Sequence, residues 1–195
     1  MATKMKNGKN ARNGKSGKSA EPLDAIALLK ADHRLVEELF EKFERSTRKE
    51  QKQKIAQQIC MELTIHTMIE EEIFYPACKE AVEEDLLDEA YVEHDGAKIL
   101  IAEISQGSLD DKFYAAKVTV LSEEIKHHVK EEEKRSEGMF AQAKAAGLDM
   151  DALGKVMQAR KEELQQTLTL GDLPPPETRT MKGVEMNYGA PVGHL

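Results

Sequence analysis

Apolar residues recur every three or four positions along five stretches of the chain, which is the period of an amphipathic α-helix. These stretches cover residues 24–45, 49–78, 84–105, 109–146 and 150–168. Nowhere do apolar and polar residues alternate in the manner of a half-buried strand. The pattern therefore predicts an all-α protein with four long helices in a bundle. A fifth amphipathic helix is expected to pack outside that bundle or at its end.

Several residues mark where the predicted helices begin and end. Asp24 is suited to cap the start of the first helix, and Ser108 with Asp111 has the spacing of a capping box before the fourth. Gly147 is suited to end the fourth helix. Pro76 indicates that the second helix is kinked in its last turn or ends there.

Each of the four long helices carries one histidine on its apolar stripe. They are His33, His66, His94 and His128. Two of them are followed four residues later by a glutamate, in the pairs His66/Glu70 and His128/Glu132. A residue four positions on lies about 40° further round a helix, one turn along, so each pair can direct two ligands at one point. Buried carboxylates are costly unless they are paired or bind metal, and the inward faces offer no Lys or Arg. The pattern predicts a metal site in the bundle core.

Helical phase separates these residues from their neighbours. Of the consecutive Glu70, Glu71 and Glu72, only Glu70 is expected below His66, because Glu71 is turned about 140° away. His128 continues the stripe of Leu121 and Ile125, which leaves His127 at the rim. With Glu131 four residues on, His127 defines an alternative phase that stays open.

Imidazole and carboxylate ligands without thiolates suit iron, manganese or zinc. Six side chains are too many for one tetrahedral zinc ion. They suit two metal ions, each with two histidines, bridged by Glu70 and Glu132. Two irons held in this way would keep coordination positions open for solvent, dioxygen, peroxide or nitric oxide, and could cycle between the ferrous and ferric states.

Charge and composition divide the chain. Residues 1–20 hold six of the 28 basic residues and none of the 36 acidic ones, so the remainder carries a net charge of −14. We expect a basic disordered tail over residues 1–22, a four-helix domain over 23–147, an additional helix over 148–170 and a Pro/Gly-rich extended tail over 171–195. Because the basic tail has no interleaved aromatic residues, we expect no nucleic-acid partner. Protein partners are left open.

The sequence also bears on location. No apolar run approaches the ~20 residues of a membrane span, and the N-terminus lacks the apolar stretch of a secretory signal. Cys60 and Cys78 are 18 residues apart on one predicted helix, too far to bridge each other. Reduced thiols and a cytoplasmic location are expected.

Four segments, KADHRLVEELF, ELTIHTMIEEEIFYPAC, YVEHDGAKIL and LSEEIKHHVKEEEKR, resemble the hemerythrin-type HHE cation-binding domain. They occur in order across about residues 23–145. The resemblance implies an up-and-down four-helix bundle with a non-haem di-iron centre, bridged by an oxo, hydroxo or solvent oxygen. It implies that the ligands are His33, His66, Glu70, His94, His128 and Glu132.

The sequence departs from the oxygen-carrying hemerythrins at two positions. Lys98 stands where they have a fifth histidine, and Glu133 stands where they have the last carboxylate, an aspartate. The pattern is more similar to the subfamily of iron-sensing and iron-centre-repair proteins, although the paired cysteines of the repair proteins are absent. We expect a di-iron protein that handles dioxygen, peroxide or nitric oxide, with weak catalase-like turnover left open. The alternative is a non-catalytic iron or oxygen sensor or storage protein.

Overall fold

The computed structural model describes residues 23–182, and this part of the chain is helical with no β-sheet. A π-helical turn, Glu70–Phe74, joins the second helix to the third without a break. The all-α prediction is confirmed. The helices are α1 (Ala25–Arg45), α2 (Lys49–Ile69), α3 (Tyr75–Cys78), α4 (Glu84–Gln106), α5 (Tyr114–Glu132), α6 (Met139–Ala145) and α7 (Met150–Thr167).

The four long helices α1, α2, α4 and α5 form the bundle. Each packs against the next, and α5 closes the ring on α1. Short connections between neighbouring helices give the up-and-down arrangement. The predicted N-cap is present, since the Asp24 side chain accepts a hydrogen bond from the amide of Ala27 at 2.8 Å. The helix α7 lies against α1 and α2, outside the bundle, as predicted.

A polar layer crosses the bundle between two apolar clusters. One cluster includes Leu29, Ile69 and Ala90, and the other includes Val36, Leu63 and Ala97. These residues precede and follow the histidines of α1, α2 and α4 along the chain, so those histidines lie where one cluster gives way to the other. The apolar clusters exclude water on both sides of the layer.

The fourth predicted helix, 109–146, is not continuous. Asp111 accepts a hydrogen bond from the amide of Ser108 at 2.7 Å, but the turn does not continue and α5 begins at Tyr114. At the other end, α5 stops at Glu132 and the chain folds back before α6. A Cβ on Gly138 would lie 2.5 Å from the carbonyl oxygen of Glu131, so the fold-back needs glycine there.

The chain after α7 is extended. Residues 168–182 contain only an isolated bridge between Thr169 and Asp172, and run back along α4. The basic tail expected over residues 1–22 and the end of the Pro/Gly-rich tail lie outside the described residues. Among the described helices, none has the length and apolar character needed to cross a bilayer.

The packing of α7 on α1 generates a stability prediction. A Cβ on Gly154 would lie 2.8 Å from the backbone nitrogen of Ala25 and would clash with the carbonyl of Leu23. We expect Gly154→Ala to lower the free energy of unfolding by about 1–3 kcal/mol, because backbone on both sides must shift. Thermal unfolding measures this, at about 2–4 °C per kcal/mol for a chain of this size.

Gly96→Ala is the matched control. Gly96 is also helical, but a Cβ there would meet no atom within 4 Å. Its melting temperature should stay the same or rise, because alanine favours helix by up to about 1 kcal/mol over glycine. Equal behaviour of the two variants would contradict the close packing of α7.

Candidate metal centre

The four histidines meet in two pairs at the middle of the bundle. His33 on α1 and His66 on α2 bring their Nε2 atoms to 3.2 Å, and His94 on α4 and His128 on α5 do the same at 3.2 Å. All four side chains are buried. The structure thus brings together the histidines that the sequence singled out.

Glu70 and Glu132 lie between the two histidine pairs. Glu70 Oε2 is 3.1 Å from His66 Nε2 and 3.4 Å from His94 Nε2. Glu132 reaches His33 Nε2 at 3.4 Å through Oε2 and His128 Nε2 at 3.6 Å through Oε1. Each carboxylate therefore contacts one histidine of each pair, so Glu70 and Glu132 connect the two pairs.

The Nδ1 atoms of the same histidines each face a second carboxylate. The Nδ1 to carboxylate distances are 2.8 Å for His33 to Glu133, 3.7 Å for His66 to Asp32, 3.1 Å for His94 to Glu71 and 2.7 Å for His128 to Glu93. We call Asp32, Glu71, Glu93 and Glu133 the outer carboxylates. Carboxylates placed in this way fix the ring orientation and the tautomer of metal-binding histidines.

The donor set fits metal ions. A neutral imidazole has one N–H group. When that group is on Nδ1 and donates a hydrogen bond to an outer carboxylate, the Nε2 lone pair faces the lone pair of the partner histidine. Two such lone pairs at 3.2 Å repel unless a cation or a proton lies between them. The buried oxygens Glu70 Oε1 and Glu132 Oε2 also have no hydrogen-bond partner among the described residues. A pair of cations would satisfy all of these atoms.

The pKa values of His66 and Glu70 also indicate that positive charge is favoured in this layer. Burial alone would lower the pKa of His66, but Glu70 and Asp32 raise it to about 10. Burial would raise the pKa of Glu70, but His66 and His94 hold it well below its usual range. In the metal-free protein, a proton on His66 thus supplies part of the charge that a metal ion would supply.

Three of the four outer carboxylates contact Lys or Arg. Glu133 pairs with Arg34, Asp32 pairs with Lys161 of α7, and Glu71 pairs with Lys98 at 2.6 Å and with Arg179 at 2.9 Å. Among the described residues Glu93 has no such partner, and its additional neighbour is His127 at 3.5 Å. Within residues 23–182, Glu70 and Glu132 form no ion pair with Lys or Arg, consistent with the lack of Lys and Arg on the inward faces.

Of the three consecutive glutamates, Glu70 contacts His66, and all three lie in a π-helical turn. The Tyr75 amide donates to the carbonyl of Glu70, five residues back, so the chain does not follow the α-helical period here. Glu70 and Glu71 are both buried, at 0% and 6% exposure, while Glu72 is exposed. Glu71 contacts His94 Nδ1, an interaction that the helical period did not predict.

The same turn places Tyr75 inside the site, which the sequence argument missed. Its hydroxyl lies 3.1 Å from both His94 Nε2 and Glu132 Oε1, and 3.5 Å from His128 Nε2. Burial, and then the charges of Glu132 and Glu70, raise the pKa of Tyr75 well above its usual range. Tyr75 is therefore a buried proton donor among the atoms of the His94/His128 pair.

Several other candidates lie outside the two pairs. His127 is exposed, in agreement with its predicted rim position. Lys98 follows His94 by one turn, but its ammonium contacts Glu71 and Asp95. Glu133, at the position of the oxygen carriers' last carboxylate, contacts the outer nitrogen of His33. His194 lies outside the described residues.

Comparison with known proteins agrees with this geometry. The sequence profile of the Hemerythrin HHE cation binding domain matches residues 24–140, more than half of the chain. The chain belongs to the hemerythrin HHE family. Its fold resembles the crystal structure of a hemerythrin HHE cation-binding domain-containing protein from Mycobacterium kansasii, with a TM-score of 0.62 and 22% identity over 74% of this chain and 89% of that chain. No relative is found among curated proteins.

Family membership shows that this hemerythrin-domain chain is a cation-binding protein with a helical bundle. The two ligand groups found within it agree with that assignment. One consists of His33, His66, Glu70 and Glu132, and the other of Glu70, His94 and His128, with ligand atoms within 4.8 Å of one another in each group.

Tyr75 gives a prediction for the metal-free protein. Replacing Tyr75 by Phe removes a buried donor from Glu132 and His94, so we expect a loss of about 1–3 kcal/mol in unfolding free energy. Tyr114→Phe is the control, because the Tyr114 hydroxyl hydrogen-bonds among the described residues to Gln53, a neutral partner. Chemical unfolding of both variants measures the difference. A smaller loss for Tyr75→Phe than for Tyr114→Phe would contradict the donor role.

Proposed function

We propose that this protein binds two non-haem irons and uses them to handle dioxygen, peroxide or nitric oxide. The observation that carries the proposal is the arrangement of two histidine pairs joined by Glu70 and Glu132. His33 and His66 would hold one iron, and His94 and His128 the other, with both carboxylates as bridges. Imidazole with carboxylate is a ligand set that suits iron. Bound iron would supply electrons by cycling between the ferrous and ferric states.

The protein residues have separate roles in this proposal. Glu133, Glu71 and Glu93 hydrogen-bond to Nδ1 of His33, His94 and His128 and keep their Nε2 lone pairs directed inward, while Asp32 lies 3.7 Å from Nδ1 of His66. The apolar clusters exclude bulk water from the layer. Tyr75 keeps its proton 3.1 Å from Glu132, and its hydroxyl is placed to donate a hydrogen bond to a small molecule bound beside the His94/His128 pair.

The space inside the site suits small ligands. A cavity of about 10 Å³ is lined by all four histidines together with Val36, Leu63, Ile125 and other residues of the same helices. That is about the volume that admits one water-sized molecule. Dioxygen, peroxide and nitric oxide are of this class, so the cavity supports them over larger organic substrates.

A role in oxidative or nitrosative stress, or in iron homeostasis, follows from this chemistry. Weak catalase-like turnover is one form it would take. Cys60 and Cys78 are free and buried, which supports a reducing compartment such as the cytoplasm.

One observation favours the alternative, a non-catalytic iron or oxygen sensor. The chain after α7 contacts Glu71, an outer carboxylate of the site, through Arg179. A change in metal occupancy could thereby be transmitted to the C-terminal segment. Peroxide consumption distinguishes the candidates, because a sensor should show no turnover while its C-terminal segment changes protease sensitivity with iron.

Metal analysis tests the ligand assignment. The double variant Glu70→Ala/Glu132→Ala should lose most of its bound iron, because both proposed bridges are removed. It should also lose the rise in melting temperature that iron gives the unaltered protein, since binding to the folded state adds to stability. Glu72→Ala is the control, because Glu72 is exposed on the same turn and contacts Arg160. Full iron retention by the double variant would contradict the assignment.

The reaction with oxygen gives a second prediction. Because residue 98 is a lysine that contacts Glu71, this position adds no third imidazole to His94 and His128. The Tyr75 hydroxyl lies beside the same pair as a hydrogen-bond donor. Both features favour reduction of a bound molecule over its reversible storage. We expect the ferrous protein to oxidise in air without a long-lived oxygenated form, and to consume peroxide or bind nitric oxide. Optical spectra test this. A stable, reversible oxygenated spectrum with no response to peroxide or nitric oxide would overturn it.

A further inference from the structure

The segment 173–182, which we call the C-terminal strap, is anchored on one buried carboxylate of α4. Asp95 has 0% exposure, and its Oδ2 accepts hydrogen bonds from the amides of Arg179 at 2.9 Å, Thr180 at 2.6 Å and Met181 at 3.3 Å. The Thr180 hydroxyl donates to the same oxygen at 2.7 Å. Backbone donors converging on a buried carboxylate fix the strap in one position relative to α4.

The anchored strap directs two cations at Glu71. Arg179 donates through Nε to Glu71 Oε2 at 2.9 Å, and its guanidinium lies 5.6 Å from the centre of the Tyr91 ring. Lys98 contacts Glu71 Oε1 at 2.6 Å and also donates to the Glu177 carbonyl of the strap at 3.1 Å. Both cations that neutralise Glu71 are therefore held by the strap.

The strap is not packed continuously against α2 and α4. Between the strap, α2 and α4 lies a cavity of about 490 Å³, which includes Thr64, Met68 and Ile101 in its lining. The placement of the strap consequently depends on the polar contacts to Asp95, Lys98 and Glu71. A change at one of these contacts is expected to change the others.

Glu71 connects this network to the metal centre. Its Oε1 lies 3.1 Å from His94 Nδ1, and its side chain is only 7% exposed. A carboxylate on the outer nitrogen fixes the ring orientation of a ligating histidine and increases its basicity. Arg179, which lies beyond the family match at residues 24–140, is two contacts away from a proposed iron ligand.

We propose that Arg179 is a positioning residue of the metal centre, which acts through Glu71 to orient His94. The expected effect on iron binding rests on the proposed di-iron function. Its consequence for His94 itself holds in the metal-free protein as well. The strap thereby stabilises one of the two metal positions selectively, the one formed by His94 and His128.

Arg179→Ala tests this in the full chain, with Arg160→Ala as the matched control. Arg160 makes the same kind of contact, Nε to Glu72 Oε2 at 2.8 Å, on the residue that follows Glu71. Glu72 contacts no histidine among the described residues. Both arginines are on the surface side of their pairs, so neither variant is expected to prevent folding. Thr180→Val is a second variant, which removes a strap hydrogen bond to Asp95 without changing charge.

The first readout is histidine-ring NMR of the metal-free protein. We expect Arg179→Ala and Thr180→Val to shift the His94 ring signals and leave those of His33 unchanged, while Arg160→Ala changes neither. The second readout is iron release to a chelator. One of the two irons should leave about tenfold faster from Arg179→Ala, at the lower end of the range for partners of metal ligands, and Arg179→Lys should restore part of the difference.

The two readouts separate this inference from the di-iron proposal. Unchanged His94 signals in both strap variants would overturn the positioning role, whether or not iron binds. Shifted His94 signals in a protein that loads no iron would support the positioning role and contradict the proposed function. Equal release rates for Arg179→Ala, Arg160→Ala and the unaltered protein, with two irons loaded in each, would also overturn the inference.

Discussion

The main physical constraint on this structure comes from buried imidazole nitrogens that face each other across the bundle core. Their lone pairs repel each other unless a cation or a proton lies between them. Four Nε2 atoms and two carboxylates share a layer from which the apolar clusters exclude water. Such a layer is costly without positive charge, since neither ions nor unpaired polar groups are well solvated there. The helices therefore define a place for cations, while the hydrophobic packing on both sides holds the ligands near one another in their absence.

Charge compensation divides this layer into an inner and an outer part. Arg34, Lys98, Lys161 and Arg179 neutralise three outer carboxylates. The described residues provide no Lys or Arg to Glu70 and Glu132, whose neighbours are histidines and the Tyr75 hydroxyl. Basic side chains thus pair with the carboxylates that orient the ligands and not with the carboxylates that would bind metal. Glu93 is the exception, because its additional neighbour is the exposed histidine His127 and not a Lys or Arg of the described residues. The His128 side is consequently the least compensated part of the site.

The helical period was sufficient to predict the fold and the convergence of the six proposed ligands. Each of those residues lies on the regular apolar stripe of its own helix. The stripe of α2 continues to Glu70, directly after the helix, and the stripe of α5 ends at Glu132, so helical phase alone orients the six residues. The outer carboxylates were missed because they act across helix boundaries, as in Glu93 of α4 on His128 of α5. The break after Glu132 was missed because it depends on a backbone contact at Gly138, which no periodic pattern encodes.

The π-helical turn explains why Tyr75 joins the site. In a continuous α-helix, a residue five positions after Glu70 would lie about 140° away from it, at 100° per residue. The hydrogen bond from the Tyr75 amide to the Glu70 carbonyl closes a five-residue turn and brings Tyr75 to the same side of the helix as Glu70. Pro76 follows at once and has no amide hydrogen to restore the α-helical pattern. The π-helical turn therefore brings a hydrogen-bond donor to the side of the helix that carries Glu70, where a continuous α-helix would not place Tyr75.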